Sequence, residues 1–117
     1  TGQVQSADEI ANDRRKDHPR FHQGNFERNR ALAAFLETMA REKSCKPGQI
    51  ALAWLLAQGE DIVAIPGTKQ VARIGENLGA LDVQLSDADL AALSEAFPPG
   101  AAAGTRYPAG GMKGVFI

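Results

Sequence analysis

Ile62-Val63-Ala64-Ile65-Pro66-Gly67-Thr68-Lys69-Gln70-Val71-Ala72-Arg73-Ile74-Gly75-Glu76-Asn77 is the stretch whose reading decides the fold. Its first residues are β-branched or small and carry no charge, the pattern of a strand buried on both faces in a parallel sheet. Pro66 has no N–H, so a ladder should end there. Residues 70–80 then show helical spacing, with Val71, Ile74, Leu78 and Leu81 on one face, expected to be the inner one. Strand, short loop and helix together make one β/α unit. A lone strand cannot form a sheet, because each backbone group buried without a partner costs about 1–3 kcal/mol. The stretch therefore predicts a piece of a larger α/β fold, with the partner strands outside this chain. The competing expectation is a small all-helical domain in which residues 62–66 are an extended linker.

Working outward, residues 26–43 read as an amphipathic helix. Leu32, Phe35, Leu36, Met39 and Ala40 recur at helical spacing, with charged and polar residues between them. Ser44-Cys45-Lys46-Pro47-Gly48 ends it, and Pro47 suits the first turn of a second helix over residues 47–58. That helix is apolar nearly all round and should be buried on more than one side. Ser86 opens a further helix as its N-cap, with Asp89 at the capping-box position. Leu90, Leu93 and Phe97 form its buried side, and Pro98-Pro99-Gly100 stops it. Residues 1–25 are polar and broken by Asn12, Asp13, Pro19 and Gly24, which predicts an irregular loop. Its Arg14-Arg15-Lys16-Asp17 run is expected to be solvated. Residues 101–117 are rich in Gly and Ala and read as an irregular tail.

Composition narrows the function. The 117 residues carry a formal net charge of -1, with no basic stripe to argue for nucleic acid. The longest apolar run falls far short of the roughly 20 residues that span a bilayer, and the first residues lack the apolar core of a signal peptide. Cys45 is the single cysteine, so no internal disulfide can form, which suits a reducing cytoplasm. One Cys and two His leave little material for a structural zinc site.

The chemistry concentrates where the expected strand meets the expected helix, the usual ligand position in parallel α/β folds. Gly67 allows a ligand close to the backbone. Helix N-terminal N–H groups favour anions, whereas cations there are unfavourable by about 0.3–1 kcal/mol. Lys69 and Arg73 nevertheless flank that start. A phosphate between them and the backbone accounts for both, with Arg73 supplying a planar fork of donors. Arg73, Glu76 and Asn77 are spaced i, i+3, i+4 and share one helical face. The plainer alternative is a surface ion pair of Arg73 with Glu76, beside a solvated Asn77.

These residues resemble the cofactor signature of the aldo-keto reductase superfamily: Ile-Pro, then Arg seven positions after the Pro, then Glu-Asn. Pro66, Arg73, Glu76 and Asn77 have that spacing, and Gly67-Thr68-Lys69 is similar to one of its common forms. Arg20-Phe21 with Asn25-Phe26-Glu27-Arg28-Asn29 is similar to the entry to the family's extra helix, and Pro47-Gly48-Gln49-Ile50 onward to its helix 7. The resemblance continues through Asn77-Leu78-Gly79-Ala80 and the helix opened by Ser86.

The resemblance implies an α/β fold, with residues 1–117 as the C-terminal portion of a single (β/α)8 TIM barrel: extra helix, helix 7, strand 8, helix 8, a C-terminal extra helix and tail. It implies an oxidoreductase that reduces aldehydes or ketones by hydride transfer from NADPH in the cytoplasm. Its partners would be a small-molecule carbonyl substrate and the N-terminal remainder of the barrel, with no nucleic acid and no membrane. Gly67 and Thr68 would meet the pyrophosphate and adenosine-phosphate region. Lys69 and Arg73 would pair with the 2′-phosphate, which favours NADP over NAD. Glu76 and Asn77 would face the adenine or its ribose, and Gln70 is a possible neighbour. The family's catalytic Tyr, Lys, Asp and His come from earlier strands, so no catalytic residue and no metal ligand is assigned here. Tyr107 lies in the tail and is no match for the catalytic Tyr, and His18 and His22 lie in the polar loop. Arg106 or Tyr107 could line a pocket mouth. Two alternatives stay open: an NADP-binding regulatory subunit of an ion channel, and a fragment without activity.

Overall fold

The computed structural model describes residue 4 and residues 6–115. Four helices carry the fold: α1 over Asn25–Glu42, α2 over Pro47–Leu56, α3 over Val71–Leu78 and α4 over Asp87–Ala96. The core lies where α1, α2 and α4 meet. Met39, Ala40, Ile50 and Leu93 are buried there, with Leu36, Trp54 and Phe97 packed around them. The expected apolar spacing of α1 and the expected buried side of α4 both serve this core. Phe35 and Phe97 meet edge to face at 6.0 Å.

Local chemistry sets the helix ends. Ser44 adopts φ 55°. The Cys45 N–H then donates to the Ala40 carbonyl at 2.9 Å, and the Ser44 N–H to the Arg41 carbonyl at 3.2 Å. This is a Schellman closure of α1, and Cys45 packs back on the core beside Ala40. Pro47 stands in the first turn of α2, as expected. Lys43, at the end of α1, forms an ion pair with Asp89 in the first turn of α4.

Three expectations need correction. First, residues 62–66 form no β-strand, and no strand occurs among the described residues. Their burial still alternates as a strand's would: Ile62 and Ala64 are half-buried, while Val63 and Ile65 are 80% and 92% exposed. Strand structure needs ladder partners, and this segment has none among the described residues. The α/β barrel class is thus not visible in the chain's own secondary structure, which is helical. Second, the helix expected over residues 70–80 ends at Leu78 and tightens into a 3-10 turn over Gly79–Asp82. Its supposed inner face is bare, with Val71, Ile74, Leu78 and Leu81 at least half exposed. Third, the N-terminal stretch is not irregular but is folded into 3-10 turns over Ala7–Ile10, Arg14–Asp17 and Pro19–Phe21. Asp13 caps the second of these by accepting from the Arg15 N–H at 2.9 Å. The charge run over residues 14–17 is exposed, as expected. The tail likewise contains a 3-10 segment over Ala109–Gly114. Residues 1–3, 5, 116 and 117, within the expected loop and tail, lie outside the described residues.

Candidate functional site

The residues singled out from the sequence gather around the start of α3. Thr68 builds the turn into it. Its Oγ1 accepts from the Gln70 N–H at 3.1 Å and donates to the Gln70 carbonyl at 3.2 Å. Gln70 then occupies the N-cap position without capping the helix through its side chain. Instead its Oε1 accepts from Arg73 Nε at 3.1 Å, while the Arg73 N–H donates to the Gln70 carbonyl at 3.0 Å. Gln70, only a possible neighbour in the sequence reading, is thus the residue that orients Arg73. The signal for it was its spacing of three from Arg73.

The helix start is electrostatically open. No side chain caps it and no acidic residue lies in its first turn. Lys69 is exposed just ahead of it and Arg73 is half-buried within it. Gly67 is also exposed, and a Cβ built there would meet nothing within 4 Å. Nothing packed against Gly67 among the described residues calls for a glycine. The far end of α3 is held by Gln49, whose Nε2 donates to the Glu76 carbonyl at 2.9 Å.

The six residues are not presented to one concavity. Thr68 and Asn77 line a groove of about 350 Å³ between α2, the 62–66 segment and α3, together with Leu52, Ile62, Ala64 and Leu78. Arg73 instead lines a cavity of about 940 Å³. The other walls of that cavity are the N-terminal turns, α1 and the tail. Arg106 and Tyr107 also line it. The Tyr107 ring lies 5.5 Å from His18, whose Nδ1 is 3.0 Å from the Arg106 carbonyl oxygen and donates to it. The tail's part in this cavity involves contacts between distant segments that local sequence does not reveal.

Elsewhere the chemistry is quiet. Burial pushes the Cys45 thiol above its usual range, with Lys43 opposing, so it is not set up as a nucleophile. Among the described residues no group of three or more His, Cys, Asp or Glu could hold a metal ion. No helix among them is long and apolar enough to cross a membrane.

Comparison with known proteins gives the family. Residues 1–97 match the family model described as Aldo/keto reductase family. The whole chain aligns at 43% identity with aldo-keto reductase yakc [NADP(+)] of Schizosaccharomyces pombe, covering 35% of that protein. Probable aldo-keto reductase 1 of Glycine max is 46% identical over 79% of the chain and 27% of its own length. Aldo-keto reductase str7 of Strobilurus tenacellus is 38% identical over 80% of the chain and 28% of its own length. The chain therefore spans about a third or less of the relatives it matches. No solved structure gives a significant match.

Proposed function

The chain belongs to the aldo-keto reductase family, and from that premise we propose that it is the C-terminal, NADP-gripping part of an oxidoreductase that reduces aldehydes or ketones. The observation that carries this reading is the start of α3: uncapped, free of acids in its first turn, and flanked by Lys69 and an oriented Arg73. Lys69 and Arg73 hold the 2′-phosphate, and Gly67 and Thr68 lie along the pyrophosphate and adenosine-phosphate stretch. Glu76 and Asn77 serve the adenine or its ribose. The residues fit the group, since the open backbone at Gly67 leaves room where a phosphate must approach. When bound, the cofactor supplies the hydride for carbonyl reduction. This chain binds and orients its adenosine end, and the proton donor comes from another part of the protein. The printed name of the Schizosaccharomyces pombe relative, which includes NADP(+), supports the same cofactor.

The exposed apolar face completes the proposal. Val63, Ile65, Val71, Ile74, Leu78 and Leu81 are all exposed, on segments joined end to end. A face of this kind marks an interface. In this reading it packs on the N-terminal remainder of a (β/α)8 barrel, whose strands pair with residues 62–66 as an eighth strand. Residues 1–117 then belong to one barrel domain, working on a small carbonyl compound in the cytoplasm.

The test is Arg73→Ala in the intact protein, read by fluorescence titration with NADPH and NADH. Loss of a charge-assisted contact of about 1.5–3 kcal/mol predicts roughly 10- to 150-fold weaker NADPH binding. NADH, which lacks the 2′-phosphate, should change far less. Equal weakening of both cofactors would sink the phosphate assignment.

A further inference from the structure

The tail beyond α4 returns to the N-terminal loop and is tied to it through α1. Asn29, half-buried on α1, makes the tie. Its Nδ2 donates to the Ala103 carbonyl at 2.9 Å and to the Arg20 carbonyl at 3.0 Å, and its Oδ1 accepts from the Ala103 N–H at 2.8 Å. Both amide protons and the oxygen are thus committed to two segments far apart in the sequence. One turn earlier on α1, Asn25 Nδ2 donates to the Pro19 carbonyl at 2.9 Å. Further ties join loop and tail directly. Arg20 Nε donates to the Gly104 carbonyl at 3.4 Å, and His18 Nδ1 lies 3.0 Å from the Arg106 carbonyl oxygen. The His18 and Tyr107 rings meet at 5.5 Å. The crossing requires glycine: Gly104 has φ +82°, and a Cβ there would lie 2.8 Å from the Pro19 carbonyl.

These ties are mostly polar. No residue of 18–21 or 101–107 is buried, and none belongs to the core between α1, α2 and α4. Segments held by hydrogen bonds, with little buried apolar surface, open at a fraction of the free energy of global unfolding. The ties are also shared. The loop in place presents His18, Pro19 and Arg20 to the tail, and the tail in place presents Ala103, Gly104 and Arg106 to the loop and α1. Order in one segment therefore favours order in the other, and by linkage the coupling is equal in both directions.

We propose that residues 18–21 and 101–107 form one latched strap, bolted to α1 by Asn29, that opens and closes as a unit while the core stays folded. Closed, the strap supplies Arg20, Phe21, Arg106 and Tyr107 to the wall of the cavity of about 940 Å³. Open, it withdraws all four together. That cavity is then a property of the closed state, and anything bound against the strap draws its affinity through the latch equilibrium. The latch stands apart from the function proposed above.

The experiment is amide hydrogen exchange on the intact protein, read by mass spectrometry, with circular dichroism confirming the fold. In the tail, the Ala101 N–H donates to the Pro98 carbonyl and the Ala103 N–H to Asn29. In the loop, the Phe21 N–H donates to the His18 carbonyl. Ile50, buried in α2, reports the core. Gly104→Ala strains the tail, and exchange at Phe21 should quicken with that at Ala103, by about tenfold or more. Asn25→Ala removes one bond from the loop, and Ala101 and Ala103 should quicken about two- to tenfold with Phe21. Asn29→Leu should free both segments by about tenfold or more. Ile50 should be unchanged in all three. Quickening confined to the tail in Gly104→Ala, or to the loop in Asn25→Ala, means two independent segments and overturns the proposal. So does exchange unchanged in every variant. An equal rise at Ile50 overturns it as well, because the segments would then open only with the whole fold.

Discussion

Helices α3 and α4 begin in opposite ways. At α4, Ser86 Oγ accepts from the Asp89 N–H at 3.2 Å and Asp89 Oδ2 accepts from the Ser86 N–H at 2.8 Å. Two acids, Asp87 and Asp89, lie in its first turn, and Lys43 reaches across from α1 to Asp89. Every electrostatic requirement of that helix start is met within the chain. At α3 there is no side-chain cap and no first-turn acid, and a lysine and an arginine stand at the positive end. The apolar faces differ in the same sense: Leu93 of α4 is 1% exposed, while Leu78 of α3 is 60% exposed. One helix is complete as part of this chain; the other has an uncapped start beside Lys69 and an apolar side left exposed.

Mutations can break or sharpen that contrast. Leu93→Ala should have the largest effect. It opens a cavity among Met39, Ala40 and Ile50 and costs about 2–5 kcal/mol, measured by urea unfolding. The matched change Leu78→Ala in this chain should stay within about 0.5 kcal/mol. Similar losses at both positions would mean that α3 is packed after all. Next comes capping: Ser86→Ala should cost about 1 kcal/mol, whereas Gln70→Ala, which removes no side-chain cap, should leave stability near wild type. Gln70→Ala should instead weaken NADPH binding by releasing Arg73. The smallest effect concerns pH. The ammonium of Lys43, then the N–H and hydroxyl of Ser86, hold the Asp89 carboxyl down at about 2, from an ordinary 3.8. A depressed carboxylate stabilises the fold fully above the unfolded value and loses that contribution as pH falls through the folded one. The α1–α4 contact should therefore weaken on acidification from pH 3.8 to about 2. Asp89→Asn should flatten that part of the acid-unfolding curve, and an unchanged slope would remove Asp89 from the account.

Much of this contrast was legible in the residues. The Ser86 cap with Asp89, the Pro47 helix start and the apolar spacing of Leu36, Met39 and Ala40 all act over three or four positions, so local sequence reports them. The oddly placed cations at Lys69 and Arg73 were equally visible, because helix polarity makes them anomalous wherever the helix packs. What covers the face of α3 was not legible, for a physical reason. Periodicity reports that Val71, Ile74, Leu78 and Leu81 share a side, but not whether this chain contains the surface that covers it. Residues 62–66 pose the same difficulty, since a strand exists only through its neighbours' hydrogen bonds.

By itself, then, the sequence determined the helices, their caps and the cations placed at the start of α3, since these depend on near neighbours and backbone polarity. Only the tertiary structure decided that Arg20, Arg73 and Arg106 line one cavity with Phe21, Phe26 and Phe97. The tail's place beside the N-terminal loop depends on Asn29 clasping Ala103 and on the close crossing at Gly104. Contacts between such distant segments follow from how the chain packs, and no local pattern encodes them.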